Sequence, residues 1–349
     1  MNVAVPLVEW THHADAFRIG RPDRETRAGH AVLSHEMSAQ SLVNAFVRAL
    51  AEQVEIEIRD LSVGQLIFTV SIEPMLRVII GLSNWGTGAS PHITELKLAS
   101  TNLAIGVDVG GSSIKCALID LDTGAFAGER FSIPTPAQDS TDTLLSALAE
   151  VVANIPGDHA VGLAFPSVIR NGTVRTAANL NKAWIGQPLA KLATERLQRP
   201  VTAINDADAA GIAEFQYGAA RGVAGTVLLL TLGTGIGSAL FVDGRLVPNT
   251  EFGHLEVQGK EAEVRASGRA KVQNHLSWDA WAAELNLVLN EMHALMWPDL
   301  IVLCGGITEE PEKFMDKLHC EALLRVGALR SEAGIVGAAL ATSLLAHRP

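Results

Sequence analysis

The chain has 349 residues, 48% of them apolar, with a mean hydropathy of +0.22 and a formal net charge of −11 at pH 7. This composition supplies a large buried core and room for two or three domains, and it excludes a wholly disordered chain. The acidic balance argues against a general nucleic-acid or membrane-surface binder, so a polyanionic ligand would need a local basic patch.

Residues 1–100 read differently from the rest. A polar stretch over 11–35 lacks clear periodicity, and the apolar spacing of Leu42, Val43, Phe46, Val47 and Leu50 predicts a helix within 41–58. The Gly/Ser/Asn-rich segment 81–90 reads as a linker or loop. No chemistry is visible in this extension, which is read as a docked element, a partly disordered tail or an upstream addition. The apolar stretch 66–82 carries Glu73, Pro74 and Arg77, so it does not read as a bilayer span, and no secretory signal is read upstream. Cys116, Cys304 and Cys320 are too few and too scattered for a disulfide scaffold, which with the missing signal predicts a cytoplasmic protein.

From residue 101 the text becomes regular. Apolar runs at 103–109 and 114–121 flank Gly110-Gly111-Ser112-Ser113, and Asp122-Thr123-Gly124 reads as a hairpin turn. A helix follows over 141–155, with Thr141 or Asp142 placed to cap it, then a strand at 160–165 and a hairpin at Asn171-Gly172. A strand at 201–204 runs into Asn205-Asp206 and a helix to Tyr217. Strands at 227–231 and 239–242 flank a second glycine turn, followed by a helix over 278–296, a strand at 300–303 and a helix over 334–346. Strands alternating with helices, with hairpins opening each half, predict a duplicated α/β fold with mixed sheets.

Three glycine turns at strand ends carry the chemical signal: Asp108-Val109-Gly110-Gly111-Ser112, Gly233-Thr234-Gly235 and Gly305-Gly306. Backbone without Cβ and with free N–H groups is what a close approach to a polyphosphate requires. Asp108 at the first turn suits an indirect hold on Mg²⁺, against a plain turn role, while Lys115 lies within the next strand. The second turn adds hydroxyls from Thr231, Thr234 and Ser238. Asp206 opens a helix, where it either caps, with Asn205 and Asp208 as competitors, or takes a proton from a substrate hydroxyl. Glu251 and His254, three positions apart, suit vicinal sugar hydroxyls; a structural zinc site is poorly supported because no cysteine follows within the next forty residues and no second histidine comes before His275. Lys260, Arg265, Arg269 and Lys271, with Arg170, Arg175 and Lys182 elsewhere, are read either as a solvated face or as the lining of a channel for an extended polyanion.

The stretches IGVDVGGSSIK, VRTAANLNKAWIG, INDADAAGIAE, TLGTGIGSALFVDGRLVPN, EFGHLEVQGKEAE and EAGIVGAAL, in that order, resemble the ROK sugar kinases of the hexokinase–actin-like ATPase superfamily. The similarity is greatest to the polyphosphate-using glucokinase and glucomannokinase branch, covers about residues 103–345 and says nothing of 1–100. It implies duplicated actin-like, ribonuclease H-like domains with a cleft between them: a small domain of 101–205 plus 334–349 and a large one of 206–333. It implies Asp206 as catalytic base, and Asn179, Asn205, Asp206, Glu251, His254 and Glu263 as sugar ligands. Donor contacts are implied at Asp108, Gly110, Gly111, Ser112, Lys115, Thr234 and Gly235, with Gly305-Gly306 on the nucleoside side. Mg²⁺, a polyphosphate or ATP donor, a glucose acceptor and a homodimer complete the expectation. Ser167, Cys304 and Phe252 depart from the family pattern, Cys304 in a way expected to crowd the adenosine side. Two alternatives stay open: another hexose, such as mannose, glucosamine or an N-acetylated sugar, or a sugar-responsive transcriptional regulator. The extension, with eight basic against eleven acidic residues, does not resemble a DNA-binding module.

Overall fold

The computed structural model describes residues 102–136, 140–177 and 180–344, and the backbone of six strands between residues 18 and 99. The chain divides into two compact units, 1–101 and 102–349. In the first, β1 (Val54–Ser62), β2 (Gly64–Ile72), β3 (Leu76–Trp85) and β4 (His92–Ala99) form an antiparallel meander in chain order. Two further short segments, Arg18–Ile19 and Ala31–Val32, pair with each other. The helix expected within 41–58 is therefore wrong over 54–58, where Val54-Glu55-Ile56-Glu57-Ile58 alternates apolar and charged residues with the period of a strand. Residues 41–53 lie outside the described ones. The linker read at 81–90 is corrected over 81–85, which continue β3 with a register shift at Gly81 rather than a break; residues 86–90 lie outside the described ones.

The second unit holds two five-stranded sheets of the same design. In the first, β5 (Leu103–Val109), β6 (Ser113–Asp120) and β7 (Phe126–Pro134) form a meander, and β8 (Val161–Phe165) and β9 (Val201–Asn205) extend it in parallel beyond β5. The second repeats the pattern with β10 (Thr226–Leu232), β11 (Ile236–Val242) and β12 (Arg245–Val247), then β13 (Leu300–Cys304) and β14 (Leu323–Val326). Each order is third, second, first, fourth, fifth, which is the duplication expected from the alternation of elements.

Helices fill three layers. α1 (Thr141–Val152) and α2 (Leu189–Leu197) cover the outer face of the first sheet; after the short α4 (Ala262–Ala266) and α5 (Gly268–Gln273), α6 (Trp278–Met296) covers that of the second. Between the sheets lie α3 (Asp206–Tyr217) and α7 (Ala333–Leu344), whose side chains join residues of both sheets in one core. A sheet covered on both faces needs nearly continuous apolar strands, and β5 and β10 are buried almost throughout. Ser140, not Thr141 or Asp142, caps α1, its Oγ accepting from Thr143 N at 3.2 Å. The expected end of α7 beyond Leu344 lies outside the described residues.

The central layer is packed backbone to backbone. A Cβ on Gly337 would fall 1.6 Å from the Ala209 carbonyl oxygen of α3, and one on Gly162 would fall 1.7 Å from the Ala338 oxygen. Only glycine allows these approaches. Gly337→Ala is expected to destabilise the fold by roughly 1–3 kcal/mol or more through overpacking, read as a lower denaturation midpoint in urea. An unchanged midpoint would refute the claim that this contact is tight.

Candidate active site

The chemistry-bearing residues collect where the central strands end and the central helices begin. Asp108 stands at the end of β5, opposite Lys115 across the β5–β6 pair, with Gly334 at the start of α7 against it. Asn205 closes β9 and caps α3: its Oδ1 accepts from Asp208 N at 3.0 Å and its Nδ2 donates to the Ser167 carbonyl at 3.2 Å. Asp208, the other candidate cap, is buried and takes the Asn249 N–H at 2.8 Å. Capping is thus done by Asn205, and the Asp206 carboxylate, which accepts locally from Ala207 N at 2.9 Å, is left at the helix entrance.

The first two glycine turns face each other. A Cβ on Gly111 would lie 3.9 Å from Thr234 Oγ1 of the turn between β10 and β11. The third turn buttresses the second: Gly305, at φ +91°, has no room for a Cβ, which would fall 2.7 Å from Leu232 N and O. Ser112 is exposed, Gly306 opens on free space, and Gly235 lies so close to Glu263 Oε2 that a Cβ would meet it at 2.3 Å. Two expectations for hydroxyls and cations are corrected. Ser238 is buried and donates to the Thr250 carbonyl at 2.8 Å, so it is not a phosphate donor. Arg265 is turned inward to Glu284 and the carbonyls of Val257 and Gln258, and Lys271 lies 4.2 Å over the Trp278 ring, so the run is not one continuous channel lining. Arg269 does reach the second turn, its Nε donating to the Thr234 carbonyl at 2.8 Å. Arg170 and Arg175, with Val168 and Asn171, line a separate cavity of about 650 Å³ beside the 169–174 hairpin.

Carboxylates dominate the electrostatics. Burial raises Asp108 above the usual carboxylate range, opposed by Lys115. Asp206 is pushed up to about 7, first by burial, then by Asp108, with Glu251 adding. Glu251 is raised by burial and by Glu263 and held back by His254, although 38% of its side chain still faces solvent. His254 stands between carboxylates: Nδ1 is 3.2 Å from Glu261 Oε2 and Nε2 is 3.9 Å from Glu251 Oε2. Asp108, Asp206, Glu251, His254 and Glu263 therefore form one coupled group. Asn179 lies outside the described residues.

A match to the ROK family spans residues 104–270. The chain is 43% identical over 258 residues to a polyphosphate glucokinase of Mycobacterium tuberculosis, covering 73% of this chain and 97% of that protein. It is 40% identical to the polyphosphate glucokinase of Mycobacterium leprae over 280 residues, 78% of this chain and 86% of that one. The chain belongs to the ROK family. Its fold matches the crystal structure of the inorganic polyphosphate/ATP-glucomannokinase from an Arthrobacter strain with a TM-score of 0.68 at 44% identity, over 70% of this chain and 99% of that one. The actin-like ATPase architecture follows from this and from the repeated sheet order. Among the described residues no helix is long and apolar enough to cross a membrane.

Two departures from the ROK pattern have structural roles. Ser167 is buried and donates to the Thr176 carbonyl at 2.6 Å, fastening the 169–174 hairpin. Cys304 is 1% exposed, its Sγ against Gly327 in the central core, so its side chain adds no bulk to the open face of the third turn. Sequence reasoning missed Glu214, fully buried and accepting from Ala219, Ala328 and Leu329 N at 2.8, 3.0 and 2.7 Å. A glutamate in the middle of an apolar helix was the available signal, since so buried a charge needs several donors.

Burying Asp206 sets stability against pH. Its folded pKa, about 7, lies above the ordinary carboxylate value of 3.8, so the folded form holds the proton more tightly, and stability falls as pH rises from about 4 to about 7. Asp206→Asn is expected to raise the thermal midpoint at pH 8 and to leave it nearly unchanged at pH 4. Equal shifts at both values would sink the assignment.

Proposed function

We propose that this chain transfers the terminal phosphoryl group of polyphosphate, or of ATP, to the 6-hydroxyl of glucose, with Asp206 as general base. The observation that carries the reading is a carboxylate of pKa about 7 at a helix entrance, beside Asp108 and next to two glycine turns that face each other. A base tuned near neutrality accepts a proton at working pH and remains strong enough to help. The identities of the Mycobacterium and Arthrobacter proteins support the donor and acceptor.

In this reading Asn205, Glu251, His254 and Glu263, with Asn179, hold the sugar hydroxyls. Asp206 takes the proton of the 6-hydroxyl as its oxygen bonds to the terminal phosphorus. The bond from that phosphorus to the donor's bridging oxygen breaks, releasing shortened polyphosphate or ADP. Backbone N–H groups of Gly110, Gly111, Ser112 and Gly235, the Thr234 hydroxyl and Lys115 orient the donor, with Gly305 and Gly306 on the nucleoside side. Positioning and electrostatics then carry the rate. Mg²⁺ fits the residues present, because Asp108 and Asp206 are two crowded carboxylates whose repulsion a hard divalent cation offsets; Asp108 would hold it through water, and it would neutralise donor oxygens.

The test is glucose 6-phosphate formation with Mg²⁺, run in parallel with polyphosphate and ATP. Activity with polyphosphate is expected; activity with ATP alone removes polyphosphate from the proposal, and silence with both from folded protein refutes it. Asp206→Asn is expected to lower turnover by about 10²–10⁴ or more, with glucose binding within a few-fold of normal. In the wild type, kcat/KM should rise with pH through about 7, as Asp206 ionises, and level off above. Arg269→Ala is expected to raise the donor KM about 10-fold or more, the scale of a hydrogen bond to a charged group, while the glucose KM stays put. A change confined to glucose would place Arg269 elsewhere.

A further inference from the structure

We propose that Glu261 is a positioning residue, whose carboxylate accepts a hydrogen bond from the Nδ1–H of His254 and leaves Nε2 of the neutral ring facing the sugar as a hydrogen-bond acceptor. This rests on His254 being a sugar ligand, as argued above. The local fold explains how Glu261 arrives there. After the short helical turn Phe252–His254 the chain makes a two-stranded ladder, Glu256–Val257 with Lys260–Glu261. Gln258 and Gly259 join its strands, both at positive φ (47° and 76°), the pattern of a two-residue turn that reverses the chain tightly. Glu261 is thereby carried back seven positions after His254, to 3.2 Å between Oε2 and Nδ1.

A carboxylate is an acceptor only, so the ring must supply the proton from Nδ1. The neutral imidazole then has its lone pair on Nε2, fixed by the bond at the other nitrogen. That nitrogen lies on the side of Glu251, 3.9 Å from its Oε2, and Glu251 is coupled to the base Asp206. The ring is thus bracketed, with its accepting edge toward the place where the sugar must lie. The contact also holds the imidazole's pKa above its ordinary value, so the accepting Nε2 belongs to the neutral ring, formed above that pKa: the Glu261 hydrogen bond is the main cause, burial opposes it, and the charges of Glu263, Glu261 and Glu251 add to it. These three carboxylates, from the segment before His254, the ladder and the helix Ala262–Ala266, are the charged groups that face the ring. One cation would also be within reach of His254, Glu261 and Glu263, but the ring and Glu261 already satisfy each other.

The test uses the full chain and two readouts. Long-range proton–nitrogen spectra of the His254 side chain should show the Nδ1–H tautomer in the wild type. Glu261→Ala should lose that bias and lower the His254 pKa, and raise the glucose KM about 3- to 10-fold with kcat and donor KM unchanged. Glu261→Gln, whose amide oxygen still accepts from Nδ1, should recover most of the KM but not the pKa. A Glu261→Ala protein with wild-type tautomer and KM overturns the proposal. If that variant does not fold, Glu261→Gln decides, since an unlowered His254 pKa overturns it equally. His254→Ala separates the two readings: an unchanged glucose KM there removes His254 from the sugar site, whatever the spectra say of Glu261.

Discussion

The site depends on how closely α3 and α7 approach each other. Their glycine-mediated contact, with the Gly337 Cα against the Ala209 carbonyl, sets the spacing of the two sheets. Asp206 is the first residue of α3, and Gly334, in the first turn of α7, abuts Asp108. The distance between the two carboxylates is therefore a property of strand β5 and the helix pair packed on it, not of a loop. Close-packed interiors transmit such constraints because they have little free volume to absorb a change. Sites held by rigid elements keep their geometry better than sites built on loops alone.

The second constraint is electrostatic. Four carboxylates, Asp108, Asp206, Glu251 and Glu263, share a region that, in the function proposed, also has to receive a polyanion. The arrangement works because the two tasks are divided. In the function proposed, backbone N–H groups at the glycine turns, with Lys115 and Arg269, meet the donor, and the carboxylates meet hydroxyls, which donate hydrogen bonds. Burial first, then the charge of Asp108 with that of Glu251 adding, raises the proton affinity of Asp206 into the range of a working base. The fold carries the cost of that crowding as lost stability at neutral pH, a common trade at active sites.

Much of this was readable in the sequence because it rests on local rules. Glycine turns at strand ends, the alternation of strands with helices and the helix from Trp278 to Met296 follow from backbone sterics and from periodicity over long segments. What failed was short or non-local. Val54-Glu55-Ile56-Glu57-Ile58 fell inside a window whose helical spacing came from its first half. Arg265 sits in a charged run that looks solvated, yet its partner Glu284 is nineteen positions away and its other acceptors are carbonyls, to which a charge count is blind. Ser140 and Thr141 are equally good caps on paper, and only the extended backbone at Ser140 separates them. Glu261 could not be read at all before the Gln258-Gly259 turn brought it back to His254.

Glu214 has a consequence for how this chain can vary. Its carboxylate orders residues 328 and 329 through their backbone N–H groups, which every residue except proline supplies. Substitutions of those side chains can therefore drift while the loop keeps its path, whereas the anchor that shapes it is confined to one position. Gly327 is the exception on the loop side, because a Cβ there would meet Cys304 Sγ at 2.4 Å and Glu214 Oε1 at 2.8 Å. A side chain at position 327 would therefore need room to be made at both Cys304 and Glu214, so the three positions share one buried corner.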